Sequence, residues 1–321
     1  SARLERPDLM PTPVPRTINM STIGRDLLHA QPPIQAIFVY NSNPVAVAPQ
    51  SGEVVRGFAR PDLFTVVHDL FQTDTADYAD ILLPAPSHME QLDIHKSYGH
   101  LHIQVNQPAI PLCGEALPNT ELFRRLAQCM GFSEPCFSDS DEALCQQAFD
   151  WQDARLAGLT WEDLKRSGHA RLNLPQAVAP FANGNFLTPS GKCEFYSAAL
   201  AQAGHDPLPT FIPPHEWRQS ALAKEYSLAL LTPPARNFLN TSFANSPRFL
   251  AQEKTPTVQL HPADAAVRTI ADDAVVRVFN HRGEFQARAV ISDRVRPGVA
   301  VATSIWWRKL SPDGRNCNEV T

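Results

Sequence analysis

The six cysteines of this 321-residue chain, Cys113, Cys129, Cys136, Cys145, Cys193 and Cys317, lie far apart and none stands in a C-x-x-C pair. Scatter of this kind argues against a disulfide framework or a structural zinc site and predicts reduced thiols in a core. No apolar run reaches the roughly 18 residues that a membrane-spanning helix needs. The net charge of -5 offers no basic field to neutralise phosphates, so nucleic acid is not an expected partner. A signal peptide is missing too, but "SARLERPDLM" has no natural start, and the chain reads as a piece of something longer. One further lack is local. In "FVYNSNPVAVAPQ", Phe38 to Gln50, a strand-like run enters Asn-Ser-Asn-Pro where phosphate loops carry several glycines.

What is present is an ordinary soluble composition, 43% hydrophobic and 19% charged, with an excess of proline: 29 residues, roughly twice the usual share. Prolines stiffen loops and end strands, which predicts a loop-rich body rather than a helical bundle. "IQAIFVY" (34–40), "LFTVVHD" (63–69) and "ILLP" (81–84) are short continuous apolar runs that suit strands buried on both faces of a parallel sheet. "SGEVVRGFAR" fits the crossover helix between the first two, with Ser51 as N-cap, and "TDTADYAD" fits a helical turn before the third. "NTELFRRLAQCMG" predicts a helix capped by Asn119 and stopped by Gly131. Short helices in proline-rich coil follow ("DEALCQQAF", "TWEDLKR", "CEFYSAALAQAG"), and "PLPTFIPPHEW" reads as a linker. Beyond Tyr226 the texture turns to strands: "YSLALLT", "TPTVQLH", "AVVRVFN", "GEFQARAVI" and "VAVATSIWW", with "HPADAAVR" a short helix among them. "NHRG" (280–283) is a hairpin turn in which Gly283 is free to take a positive φ. The expected division is 1–225, an α/β domain with connector whose sheet core covers about 30–135, then 226–321, a compact β-barrel.

Parallel sheets bind ligands at the carboxyl ends of their strands. Here those ends supply Asn41, Ser42 and Asn43, then His68 and Asp69, then Glu90 and Gln91. Amides both donate and accept, and a carboxylate accepts two N–H bonds from a guanine edge, so such a turn can read a base and ribose without a glycine-rich cradle. A plain polar cap on the sheet is the alternative.

These residues carry a resemblance. "VYNSNPVAV" and "VVHDLFQTDTADYADILLPAPSHMEQLD" resemble the third domain of the molybdopterin-dependent oxidoreductases of the dimethyl sulfoxide reductase family. "NFLTPSGKCEFYS" (185–197) resembles that family's connector. "LALLTPPARNFLNTSFANSP", "VQLHPADA", "VVRVFNHRGEFQARAVISDRVRPGVAVA" and "NEVT" resemble its C-terminal dinucleotide-binding domain. The resemblance implies a Rossmann-like parallel-sheet domain followed by a double-psi-type β-barrel. It further implies a bis(molybdopterin guanine dinucleotide) cofactor with molybdenum or tungsten. The contacts it implies are Asn41, Asn43, Asp69 and Thr73 in the first domain, with Asn119 where the family often has an acid. In the second they are Thr232, Arg236, Asn240 and Thr241, then Trp307 and Asn318 closing over the cofactor.

Two departures stand out: Asp272-Asp273 replaces a usual Gly-Asp pair, and Gln91 stands where several relatives have lysine. The family's [4Fe–4S] cysteines and its metal ligand have no counterpart here, so they are expected in a missing N-terminal part. The implied function is the C-terminal cofactor-binding portion of a two-electron oxidoreductase, inactive and cofactor-free by itself. Its partners would be the missing domains and an electron-transfer subunit. No residue is assigned as catalytic or metal-ligating. The alternative is a non-catalytic guanine-nucleotide-binding or interaction module. Free thiols favour the cytoplasm, with the periplasm open through export of folded protein. His100 and His102 are either a metal pair on one strand face or solvent-facing imidazoles. "SHMEQ" lacks a nucleophile elbow, and "TPSGK" lacks the first glycine of a phosphate loop.

Overall fold

The structure, a computed structural model, describes residues 15–96 and 98–321, so the opening segment "SARLERPDLM" lies outside it. Helix α1 (Ile23–His29) leads into β1 (Ala36–Tyr40), α2 (Pro44–Val47), α3 (Ser51–Phe58), β2 (Phe64–Asp69) and β3 (Ile81–Pro84). The three strands are parallel in the order β1-β2-β3, with Tyr40 opposite His68 and Asp69 opposite Pro84, so all three strand ends share one edge. The apolar runs therefore mark the strands they were expected to mark. Burial on both faces holds only for the central strand: Thr65, Val67 and His68 of β2 are fully buried, whereas Tyr40, Ile81 and Leu82 on the flanking strands are exposed. A three-stranded sheet has two edge strands and one interior strand, and the interior one is buried over most of its length, Phe64 at its start being exposed.

Helices α1 and α3 cross through glycine. A Cβ at Gly24 would stand 2.7 Å from Val54 N, and one at Gly57 would stand 2.7 Å from Leu27 Cβ. That contact seats Leu27, Val54 and Phe58 against Val39, Val45 and Val67 in the first core. Ser51 does not cap α3 as expected. Gln50 occupies the cap in the left-handed region, φ 51°, and Ser51 is buried one position later.

A second sheet was not legible in the sequence. Strands β4 (Asp93–Lys96) and β5 (His102–Asn106) pair antiparallel; after helices α4 (Asn119–Cys129), α5 (Asp141–Gln147) and α6 (Trp161–Ser167), strand β6 (His169–Arg171) returns to β5. Ile103, Val105, Leu156, Trp161 and Leu164 form its core. Helix α4 begins one residue earlier than Asn119 predicted: Pro118 is the cap, its carbonyl accepting from Leu122 N, and Asn119 is the first helical residue. Gly131, at φ 77°, ends it as expected.

The connector holds α7 (Ala198–Gln202), shorter than the "CEFYSAALAQAG" helix expected there, and α8 (Leu222–Glu225). The last unit contains β7 (Ala229–Leu231), α9 (Pro247–Glu253), β8 (Thr257–Leu260), α10 (Pro262–Val267), β9 (Val275–Phe279), β10 (Glu284–Ile291) and β11 (Val299–Ala302). They form one mixed sheet in the order β7-β11-β8-β10-β9 around Val258, Leu260, Phe285, Ala287, Ala300 and Ala302. "VAVATSIWW" is strand only as far as Ala302; Trp306 and Trp307 leave the sheet and pack with Ala235, Phe238 and Ala244. The "NHRG" hairpin forms, but Gly283 is not at positive φ. It is small because Glu319 lies over it: a Cβ would stand 3.0 Å from Glu319 O. Asp273 of the Asp272-Asp273 turn is left-handed, φ 62°, a conformation glycine adopts at no steric cost.

The thiols are free, but a core location holds only for Cys145 and Cys317; Cys113, Cys129 and Cys193 are exposed. Burial pushes the Cys317 thiol up to about 12 and that of Cys145 up to about 11. In the native chain at mild alkaline pH, iodoacetamide is expected to modify the three exposed cysteines and to reach Cys145 and Cys317 only after unfolding, as mass spectrometry of the labelled peptides would show. Gly24→Ala is expected to cost about 1–3 kcal/mol, because the atoms it meets are backbone and cannot yield. A urea midpoint that falls while the slope stays constant is the matching readout.

Candidate functional site

The turn after β1 is built around Asn43, which is buried. Its backbone carbonyl accepts from Ala46 N and Val47 N, each at 3.0 Å, starting α2. Its side-chain Oδ1 accepts from Thr75 N at 3.1 Å and Thr75 Oγ1 at 2.8 Å, across 32 residues of sequence. Thr75 Oγ1 in turn accepts from Val45 N at 3.1 Å. The amide nitrogen, Asn43 Nδ2, is buried and has no acceptor among the described residues. Asn41, two residues earlier, is exposed and left-handed at φ 52°.

Asp69 closes β2, half-buried. Its Oδ1 accepts from Leu70 N at 2.7 Å, which fixes the side chain, while Oδ2 has no protein partner among the described residues. Burial raises its carboxyl above the ordinary aspartate range, partly opposed by the Leu70 and Phe71 N–H groups. Thr73 is buried and its Oγ1 accepts from Ala76 N at 3.3 Å. Beside the same edge, His68 Nε2 lies 3.0 Å from Leu117 O, which sets the strand end against the chain entering α4, where Asn119 sits half-buried. Glu90, in contrast, is a loop staple: Oε2 takes Ser87 N and Oγ, and Oε1 takes Cys113 N, and these hydrogen bonds hold its carboxyl below the usual range.

In the last unit the loop after β7 carries Thr232, Arg236, Asn240 and Thr241. Ser304 Oγ donates to Thr232 O at 3.0 Å, and Asn237 N donates to Glu253 Oε1 at 2.9 Å, so both sides of Arg236 are anchored. Arg236 itself is exposed and makes no hydrogen bond or ion pair among the described residues. Asn240, exposed at φ 51°, and Thr241 form the tip of a tight turn closed by reciprocal Leu239–Ser242 bonds. Trp307 Nε1 donates to Thr241 O at 2.8 Å; Trp306 Nε1, next to it, is buried without an acceptor among the described residues.

The two loop systems are in contact. Asp74 accepts from Arg308 N at 2.9 Å and Lys309 N at 3.0 Å. Arg308 reaches Ser51 Oγ at 2.9 Å and pairs with Glu319, and Lys309 Nζ sits 2.9 Å from Asp77 Oδ2. Asn318 donates to Ala46 O at 2.8 Å and to Val47 O at 3.0 Å, and Asn316 also reaches Ala46 O. The structure thus brings Asn43, Thr73, Trp307 and Asn318 into one connected region. Sequence reading missed Ser51 in this role, as well as Asp74, Thr75, Arg308, Asn316 and Glu319; "TDTAD" beside a strand end was the only local hint.

Two family models match the chain: molybdopterin oxidoreductase over residues 20–129 and molydopterin dinucleotide binding domain over 228–321. The Bacillus subtilis protein named "Probable oxidoreductase YoaE" is 42% identical over 94% of this chain and 43% of its own length. Dimethyl sulfoxide reductase DmsA of Escherichia coli is 28% identical over 92% of this chain and 39% of its own length. The chain belongs to the dimethyl sulfoxide reductase family of molybdopterin oxidoreductases. It spans less than half the length of these curated relatives. The fold matches acetylene hydratase from Pelobacter acetylenicus with a TM-score of 0.76 at 23% identity, over 95% of this chain and 43% of that one.

The molybdopterin cofactors of this family are rich in hydrogen-bond acceptors, and the residues present fit such a group. Asn43 Nδ2 and Trp306 Nε1 are orphaned donors on the two halves, and buried donors are seldom left without a partner. Asn41 is two residues from the first, and Arg236 and Asn240 belong to the loop whose Ala235 and Phe238 pack against Trp306; all three are exposed. Among the described residues, no group of three or more His, Cys, Asp or Glu could hold a metal ion. His100 lies outside β5, and its Nδ1 accepts from His102 N. Asn43→Ala removes the acceptor of two buried Thr75 donors and is expected to destabilise the chain by about 1–3 kcal/mol. Equilibrium urea unfolding measures it, and a midpoint equal to that of the parent chain would show that the Asn43–Thr75 bond contributes nothing.

Proposed function

We propose that this chain is the C-terminal cofactor-binding portion of a molybdenum or tungsten oxidoreductase and that it embraces the dinucleotide ends of a bis(molybdopterin guanine dinucleotide) cofactor. The observation that carries the reading is the pairing of an orphaned buried amide donor at the β1 end with a half-buried carboxylate at the β2 end, on the same edge of one parallel sheet. Asp69, with Oδ1 fixed by backbone and Oδ2 open, suits the two N–H groups of a guanine edge. Asn41, Thr73 and Asn119 flank it. Arg236, held from both sides but itself unpaired among the described residues, suits a pyrophosphate; Thr232, Asn240 and Thr241 line the same loop. Trp307 and Asn318 act here as supports, since their donors are already engaged by protein carbonyls.

When bound, the cofactor's metal supplies two-electron chemistry, and this chain supplies binding, orientation and electrostatic environment. The relatives' names support that division. The same portion matches proteins named for trimethylamine-N-oxide, biotin sulfoxide and dimethyl sulfoxide reduction, and one named acetylene hydratase. A region common to such different substrates is suited to holding what they share. The reading further includes a Rossmann-like first unit with connector to 225 and a double-psi-type second unit from 226. It places the metal ligand and a [4Fe–4S] cluster in further sequence, makes an electron-transfer subunit the redox partner, and leaves the isolated portion inactive. It locates the protein in the cytoplasm, or in the periplasm after folded export; no helix among the described residues is long and apolar enough to cross a membrane.

Asp69→Ala in the intact enzyme is expected to weaken cofactor retention by about 1–3 kcal/mol, read as cofactor released per protein on dilution. Unchanged retention would remove Asp69 from the site. In a parallel titration of this chain, tight magnesium-dependent binding of free GTP in preference to the dinucleotide cofactor would favour a nucleotide-binding module instead.

A further inference from the structure

Asp74 is almost wholly buried, yet it belongs to no strand and faces the other half of the molecule. Its two oxygens accept separately: Oδ2 from Arg308 N at 2.9 Å and Oδ1 from Lys309 N at 3.0 Å. Those are the first two N–H groups of the 3-10 turn Arg308–Leu310, whose preceding residue, Trp307, provides no side-chain cap. Asp74 therefore caps, from 234 residues away, a turn that the local sequence leaves uncapped. Its chain neighbour Thr75 donates to Asn43 Oδ1 at 3.1 and 2.8 Å. The neighbour of Arg308, Trp307, donates to Thr241 O at 2.8 Å. A path runs Asn43–Thr75–Asp74–Arg308–Trp307–Thr241, alternating covalent links with hydrogen bonds of at most 3.1 Å, and from Asn43 through Trp307 its residues are buried or half-buried.

The chemistry of the position is demanding. Two converging N–H donors need an acceptor at each prong, and a short carboxylate provides that. An amide would turn an NH2 toward one donor, and a longer acid would add a methylene to a filled space. Lys309 Nζ, bonded to Gln72 O, Thr73 O and Asp77, and Arg308, bonded to Ser51 and Glu319, fasten the same junction from its rim.

We propose that Asp74 is a positioning residue: by capping the Arg308 turn from the opposite half it makes the Asn43 turn and the Thr241 loop one mechanical unit, so neither can shift alone. This goes beyond the cofactor reading and does not depend on it, because it concerns how two loops of this chain are held whatever lies between them.

Hydrogen exchange on this chain, followed by NMR, tests it. In Asp74→Asn, exchange of the Thr75 amide and of the Trp307 indole N–H is expected to speed up at least tenfold, and the indole resonance to shift. Amides of the β1–β2 and β9–β10 ladders should keep their parent rates. Acceleration confined to the Arg308 and Lys309 amides would overturn the proposal, since Asp74 would then cap only its own turn. A uniform rise that includes the ladders would also overturn it, by reducing Asp74 to a contributor to global stability. Should Asp74→Asn fail to fold, Thr75→Val reads the coupling from the other end. The Trp307 indole should again exchange several-fold faster, and a parent-like rate there would reject the coupling.

Discussion

A buried carboxylate must be satisfied or it unfolds what surrounds it, and Asp74 is satisfied only across the boundary between the two halves of this chain. Its desolvation shows in a carboxyl raised above the usual aspartate range, opposed by the N–H groups of Lys309 and Arg308. Without the first half the Arg308 turn would lose its cap, and without the second Asp74 would exchange those two donors for water. The two hydrogen bonds therefore fix how the halves are aligned, because only one placement gives both oxygens a donor, rather than adding strength beyond the apolar contact. That constraint sets the loop after β2 against the loop after β11, and Asn43, Thr73, Trp307 and Asn318 are held around the same junction.

Glu319 extends the same logic. Its buried carboxylate pairs with Arg308, and the chain makes room for it with two glycines: a Cβ on Gly52 would stand 2.9 Å from Glu319 Oε2, and one on Gly283 3.0 Å from its carbonyl. Asn316 and Asn318, on either side of Cys317, direct their amides at the carbonyls of α2. Gln50 N donates to Thr321 O at 3.0 Å. A segment that looks like an ordinary polar tail thus packs as a rivet, and its residues are buried because several of their partners lie in α2 and at the start of α3.

How much of this could be read from sequence depended on how local the signal was. The three parallel strands were legible because each is a continuous apolar run with a polar end, and the β9–β10 hairpin because alternation flanks "NHRG". The antiparallel sheet was not: β6 is three residues long and pairs with a strand more than sixty residues earlier, with no periodicity to announce it. Asn119 misled because a good capping residue stood beside a proline that can hold the same extended geometry. Among the candidate contacts, Asn41, Asn43 and Asp69 were visible as polar residues at strand ends and Arg236 in the loop that follows a strand. Asp74, Thr75, Arg308 and Glu319 were not, since each has meaning only through a partner that no sequence pattern links to it.

Burial then sorts the polar residues into two kinds. Asn43, Thr75, Asp74, Asn316 and Asn318 are inside, and most of their capacity is taken up by protein groups. Asn41, Arg236 and Asn240 are outside and free of protein partners among the described residues, with two of them held at positive φ by the turns they occupy. Left-handed asparagine is tolerated because its short amide interacts locally, though it is still costlier than glycine. Internal partners fix where the loops stand, and the exposed set presents donors at those fixed places. Under the proposed cofactor reading, a site built in this way would hold one prosthetic group in relatives named for quite different substrates, because nothing in its rigid part has to know which substrate is turned over.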